Sequence, residues 1–125
     1  MKKRDQVERF FEILDKHERV GLYGAPNSGK TTLSKLVEDR KVLHTDDWMP
    51  MEFKSMAEKI SKEAPKEGPL LIEGMAVPRA AKHGLPLDAI VVLEGTHKPN
   101  TPRQAAMDKG QRTILKTLKT KTYSL

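Results

Sequence analysis

The chain has 125 residues, 37% of them hydrophobic and 5% aromatic, enough for one domain and too little for two separate cores. Its 23 Lys and Arg exceed 17 Asp and Glu to give a net charge of +6, which favours polyanionic partners; solvated Lys on helix faces is the plain alternative. The absence of Cys excludes a disulfide framework, a thiolate metal site and a Cys nucleophile, so a bound metal would take oxygen ligands.

Taken in chain order, Val7, Phe10, Phe11 and Leu14 fall at i, i+3, i+4 and i+7, and Asp5 and Glu8 have capping-box spacing. An amphipathic helix is predicted over 1–18, ending near His17. Glu8, Arg9 and Glu12 interrupt any apolar signal-peptide core, and no stretch reaches membrane-spanning length, so a cytoplasmic protein is expected. Short buried strands are predicted at Val20 to Gly24, Lys41 to Thr45, Pro69 to Gly74 and Ala89 to Glu94. Between them, Thr31 to Asp39 reads as a helix with Leu33, Leu36 and Val37 inward. Met51 to Glu63 reads as another, with Phe53, Met56, Ala57 and Ile60 inward.

Ala64 to Gly68 is a turn and His97 to Pro102 a loop, after which Thr101 can cap a basic helix that opens on Pro102. That helix carries Met107, Ile114, Leu115 and Leu118, and Gly110 is expected to weaken it midway. Whether Lys121 to Leu125 adds a fifth strand is open. Alternating strands and helices with nearly continuous apolar strands predict a parallel sheet covered by helices, with ligands at the carboxyl ends of its strands.

Gly24-Ala-Pro-Asn-Ser-Gly29-Lys30-Thr31 matches G-x-x-x-x-G-K-[ST] in full, between a predicted strand and a predicted helix. A chance match arises about once per few tens of thousands of positions at ordinary residue frequencies. Glycines let backbone N–H groups face phosphate oxygens, and a helix beginning near Lys30 adds positive potential. The nucleotide-binding set is therefore Gly24, Ala25, Asn27, Ser28, Gly29, Lys30, Thr31 and Thr32. Within it Lys30 would reach the β- and γ-phosphates, and Thr31 would offer its hydroxyl to Mg²⁺.

Thr45-Asp46-Asp47-Trp48 places carboxylates at the carboxyl end of the second strand, on the same sheet edge as the phosphate loop. A carboxylate there could take the proton of an attacking hydroxyl or hold a Mg²⁺-bound water; helix capping by Asp47 is the alternative. The third strand ends Leu70-Leu-Ile-Glu73-Gly74 and the fourth Val91-Val-Leu-Glu94-Gly95, so the residues alone leave two candidates for a metal-side acid, or exposed strand-end glutamates. Trp48, Met49 and Phe53 could shape an acceptor pocket, although such a stripe is more often core, and His44 and His97 lack ligand spacing.

GAPNSGKTTLSKL, VLHTDDW and LLIEG, in that order over roughly residues 20 to 77, resemble the uridine kinase and nicotinamide riboside kinase group of P-loop kinases. The resemblance implies a three-layer α/β/α P-loop NTPase fold with a mostly parallel sheet of four or five strands. It implies Asp46 as general base, Thr31 on Mg²⁺, and Glu73 in the metal and acceptor region. It also implies a basic lid after the fourth strand, where Arg103, Lys109 and Arg112 stand and where Arg112 is the catalytic candidate; a solvated basic helix is the alternative. The chain is shorter than that group, with one helix between Trp48 and Pro69 where relatives hold nucleoside-recognition segments.

The resulting expectation is a single kinase-like domain over 1–125, with the lid and basic helix at 97–119. It would use ATP and Mg²⁺ to phosphorylate a hydroxyl of a nucleoside-like small molecule, without a membrane partner. The metal-side residues would be Thr31, Asp46 and Glu73, and the catalytic ones Lys30, Asp46 and Arg112. Two alternatives remain at this point: a kinase acting on a hydroxyl of a nucleic acid, and an ATPase or non-catalytic nucleotide-binding module. The chain lacks the N-K-x-D motif with which many GTPases read guanine.

Overall fold

The computed structural model describes residues 3–24, 29–45, 53–93 and 101–125. In chain order the elements are α1 (Lys3–Lys16), β1 (Arg19–Gly24), α2 (Lys30–Ser34), β2 (Lys41–His44), α3 (Phe53–Glu63), β3 (Leu70–Glu73), α4 (Val77–Lys82), β4 (Ala89–Leu93), α5 (Pro102–Thr117) and β5 (Lys121–Ser124). The strands form one sheet in the order β2-β3-β1-β4-β5, and every neighbouring pair is parallel.

Period-two alternation sends the strand side chains to two separate apolar layers. Val20 and Leu22 of β1, Leu71 of β3 and Val91 and Leu93 of β4 join Phe10, Ile13 and Leu14 of α1 and Leu33 of α2. Tyr23, Leu70, Ile72, Ile90 and Val92 face the other way, onto Met56 and Ile60 of α3 and Val77 and Ala80 of α4, with Met107 and Leu115 of α5 at the margin. The connection from β1 moves to one side and puts α2 on the first face. The next three connections move to the other side and put α3, α4 and α5 on the opposite face, as one crossover hand requires.

The four anticipated strands are present, and the fifth forms from Lys121–Ser124 alongside β4, with Leu125 N–H donating to Val92 O at 2.8 Å. The sheet is wholly parallel, beyond the mostly parallel sheet expected.

Several expectations are corrected. The helix anticipated over Thr31 to Asp39 stops at Ser34, because Leu36 N–H and Val37 N–H bond to carbonyls three residues back and tighten the chain into a turn. Leu36 consequently points outward and is 50% exposed, while Val37 is buried. Asp5 lies inside the first turn of α1 and does not cap it. The helix α4 was not anticipated; its Pro78 near the start and Gly84, at φ +102°, just beyond its end are the signals that mark it. Among the described residues no helix is long and apolar enough to cross a membrane.

Two contacts fix the depth of the central strand. Arg40 Nη1 donates to His17 O at 3.0 Å and Glu18 O at 2.8 Å and Nη2 to Leu14 O at 3.1 Å, tying the end of α1 to the start of β2. The same guanidinium, hydrogen-bonded to the Asp39 carboxylate, holds that carboxyl below the usual Asp range. On the other face Gly21 lets α4 approach β1, since a Cβ there would stand 2.6 Å from Val77 Cγ1 and 3.0 Å from Leu87 Cδ1. Gly21→Ala should therefore cost about 1–3 kcal/mol by overpacking. Urea unfolding should show this as a lower midpoint at unchanged slope.

Candidate functional site

β1 lies between β3 and β4, buried along its whole length, and ends at Gly24 where the phosphate-loop motif begins. The loop after β1 leads to α2 on one face of the sheet, whereas the chain after β3 leads to α4 on the other. The two connections diverge, the arrangement that in open parallel sheets opens a ligand crevice beyond the carboxyl ends of the two strands, here β1 and β3.

On one side of this crevice stands the chain from Gly29 to Thr32. Gly29 has φ +94°, left-handed backbone that a side chain would strain, and no heavy atom lies within 4 Å of where its Cβ would be. Lys30 starts α2 and is buried to 5% exposure, while Thr31 and Thr32 are exposed. Leu33 N–H donates to Gly29 O at 3.0 Å and Ser34 Oγ to Thr31 O at 2.9 Å, which fixes the start of the short helix. With only five residues, α2 aligns few peptide dipoles, so the helix field anticipated from sequence is small. Any hold on phosphate falls to the loop N–H groups and the Lys30 ammonium.

On the other side stands Glu73, the last residue of β3, which is level with Leu22 of β1 and with His44 of β2. It is 2% exposed. Gly74, at φ +138°, follows and donates its N–H to Leu22 O at 3.1 Å, bending the chain away from the strand end. His44 Nδ1 meets Glu73 Oε1 at 2.6 Å, and Thr45 Oγ1 donates to Glu73 O at 3.1 Å. A short bond to a carboxylate is a strong one, and here it offsets much of the cost of burying the acid.

His44 is the residue that sequence reading set aside. The only available signal was its place as the last residue of a strand beside another strand ending in Glu, which needs the strand order to become a contact.

Arg112 lies on α5, where its Nε bonds Asp108 Oδ2 at 3.0 Å and its guanidinium sits 6.0 Å from the Tyr23 ring centroid. The Tyr23 hydroxyl donates to Asp108 Oδ1. Tyr23 immediately precedes Gly24, so this trio links α5 to the strand that carries the phosphate loop. Arg103 and Lys109 are exposed on the same helix. Ala25, Asn27, Ser28, Asp46, Asp47, Trp48, Met49, Glu94, Gly95 and His97 lie outside the described residues, as does the side chain of Phe53.

The donor set suits a magnesium nucleotide. A Thr hydroxyl and a carboxylate are hard oxygen donors, and Mg²⁺ completes its shell with phosphate oxygens and waters. Lys30 and the loop would hold the polyphosphate, while Thr31 and Glu73, on either side of the crevice, would face its metal.

No protein-family model matches the chain, and no curated protein matches it. Among solved structures it is similar to one described as "Crystal structure of the C-terminal part of Fun30 ATPase domain", with a TM-score of 0.41 and 14% identity. That likeness covers 96% of this chain and 39% of the other, so the chain spans well under half the length of that structure.

Proposed function

We propose that this protein is a P-loop phosphotransferase that uses Mg²⁺ and a nucleoside triphosphate, with ATP the expected donor, to phosphorylate a hydroxyl group. The observation that carries the reading is the complete G-x-x-x-x-G-K-[ST] motif on the turn out of the central parallel strand, with Glu73 ending the adjacent strand on the same edge. A phosphate loop with an acid at a neighbouring strand end supports a phosphoryl-transfer reading.

In this reading Lys30 neutralises charge on the β- and γ-phosphates. Thr31 and Glu73 would hold Mg²⁺, which would supply charge neutralisation at the transferring group. Asp46, the residue after Thr45, takes the proton of the acceptor hydroxyl, as the resemblance to uridine and nicotinamide riboside kinases implies. Arg112 contributes positive charge from α5. Holding donor and acceptor in line removes the entropy of bringing them together, and the fixed charges stabilise the transition state. A nucleoside-like acceptor follows from the same resemblance.

Incubation with γ-labelled ATP and a panel of nucleosides, nucleotides and oligonucleotides tests the reaction. Label transferred to an acceptor supports the proposal, whereas release of inorganic phosphate alone would make the protein an ATPase. Asp46→Asn should lower transfer by roughly 10²–10⁴-fold, the range for loss of a general base, with ATP affinity retained. Unchanged transfer would remove Asp46 from the mechanism.

A further inference from the structure

The net charge of the chain is concentrated at one place. Residues 101–125 carry Arg103, Lys109, Arg112, Lys116, Lys119 and Lys121 against the lone acid Asp108, which is five of the chain's six net positive charges. The first hundred residues are close to neutral. A solvated surface needs no such asymmetry.

The helix α5 turns this asymmetry into a surface. Its inward side packs Met107 and Leu115 against the apolar layer, joined by Leu118 just past its end, and buries Gln111 and Ile114. Lys109, Gly110, Thr113, Lys116 and Thr117 are exposed on the opposite side. Lys109 and Lys116 are two turns apart, about 10 Å along the axis, with Thr113 between them and half-buried Arg112 alongside. No acidic residue stands on this exposed side: Asp108, the one acid of the helix, is committed to Arg112 and Tyr23. The Thr113 and Thr117 hydroxyls donate to Lys109 O and Ile114 O, so the lysine ammonium groups are the donors this face offers, and such groups bind phosphate diesters without reading bases.

Gly110 adds a second, independent observation. A glycine inside a helix is unfavourable relative to alanine, its backbone here is ordinary helix, and nothing lies within 4 Å of where a Cβ would stand. Among the described residues no packing requires it. Close approach of an external backbone does account for it, because a missing side chain lets a partner reach the helix between Lys109 and Thr113.

We infer that the exposed face of α5 binds the sugar-phosphate backbone of a nucleic acid, with Lys109 and Lys116 on phosphates and Gly110 at the point of closest approach. The Tyr23–Asp108–Arg112 trio ties α5 to the end of the strand leading into the phosphate loop, so a nucleic-acid strand bound along the exposed face of α5 lies on an element anchored next to the candidate site. The inference rests on α5 and does not depend on the phosphotransfer reading.

The test is fluorescence anisotropy of labelled 20-nucleotide single-stranded DNA and RNA with the full chain, without ATP, from 50 to 300 mM KCl. Affinity should fall linearly with salt on logarithmic axes and be alike for unrelated sequences. Lys109→Glu with Lys116→Glu should weaken binding at least tenfold at 50 mM and reduce the salt slope by about 1.4, two phosphate contacts on a single strand. The control reverses two exposed lysines elsewhere, Lys62→Glu with Lys66→Glu, and should change binding less than threefold. Gly110→Leu should weaken binding several-fold while the melting temperature holds or rises. Equal loss in both double variants, absence of salt-dependent binding, or full affinity in Gly110→Leu would each overturn the inference. Lys30→Ala should keep its oligonucleotide affinity, so failure of the phosphate-loop reading is distinguishable from failure of this one.

Discussion

Lys30→Ala should leave a folded protein that has lost most of its affinity for ATP and whose turnover is lower by roughly 10²–10³-fold, the usual cost of deleting one preorganised group facing transition-state charge. The size of the effect follows from burial. Lys30 is only 5% exposed, so its ammonium acts where water screens it less than at an open surface. Calorimetric titration with Mg-ATP checks affinity, and thermal unfolding checks that the fold survives. ATP affinity equal to that of the unaltered protein would refute the loop as a polyphosphate site. Lys30→Arg should restore little, because a planar fork does not replace a compact ammonium at this buried position.

Glu73→Gln and His44→Ala separate charge from position at the other side of the crevice. Glu73→Gln keeps the shape and removes the charge, so the Mg²⁺ concentration needed for half-maximal transfer should rise and maximal transfer should fall by about 10². Metal-free ATP binding should stay near its original value. His44→Ala removes the group at 2.6 Å from Glu73 Oε1 and leaves a nearly buried carboxylate oxygen with less support. That should cost about 1–3 kcal/mol of stability, several degrees in melting temperature for a chain of this size.

The double variant decides whether the two act as a unit. With Gln at position 73 the burial cost of a charge is gone, so His44→Ala should then cost less by about 0.5–3 kcal/mol. Additive losses would mean that His44 and Glu73 contribute separately. His44→Asn, which can still donate a hydrogen bond, should recover part of the Mg²⁺ dependence if His44 acts by orienting the carboxylate.

Much of the architecture was written in local pattern. β1, β3 and β4 are nearly all apolar because both faces of the sheet are covered, and such runs declare themselves in any window of five residues. β5 did not, because an edge strand reading Lys-Thr-Tyr-Ser is paired on one side only and keeps little of its surface buried. α4 escaped notice because its six residues make fewer than two turns, too short a stretch for a helical period to show. Leu36 misled because apolar spacing continued past the point where the backbone left the helix.

Residues near one another in the chain specify the alternation of strands and helices, the phosphate-loop motif and its place between a strand and a helix, and the acids at strand ends. The surplus of positive charge in the last fifth is likewise plain from composition, although not which side of a helix would expose it. Which strand ends meet depends on the folded arrangement. β3 inserts between β1 and β2, and that insertion brings Glu73 beside the phosphate-loop strand and within 2.6 Å of a histidine 29 residues earlier. Strand order is set by how the helices bury their apolar faces on the two sides of the sheet, a balance over the whole chain that no single segment contains.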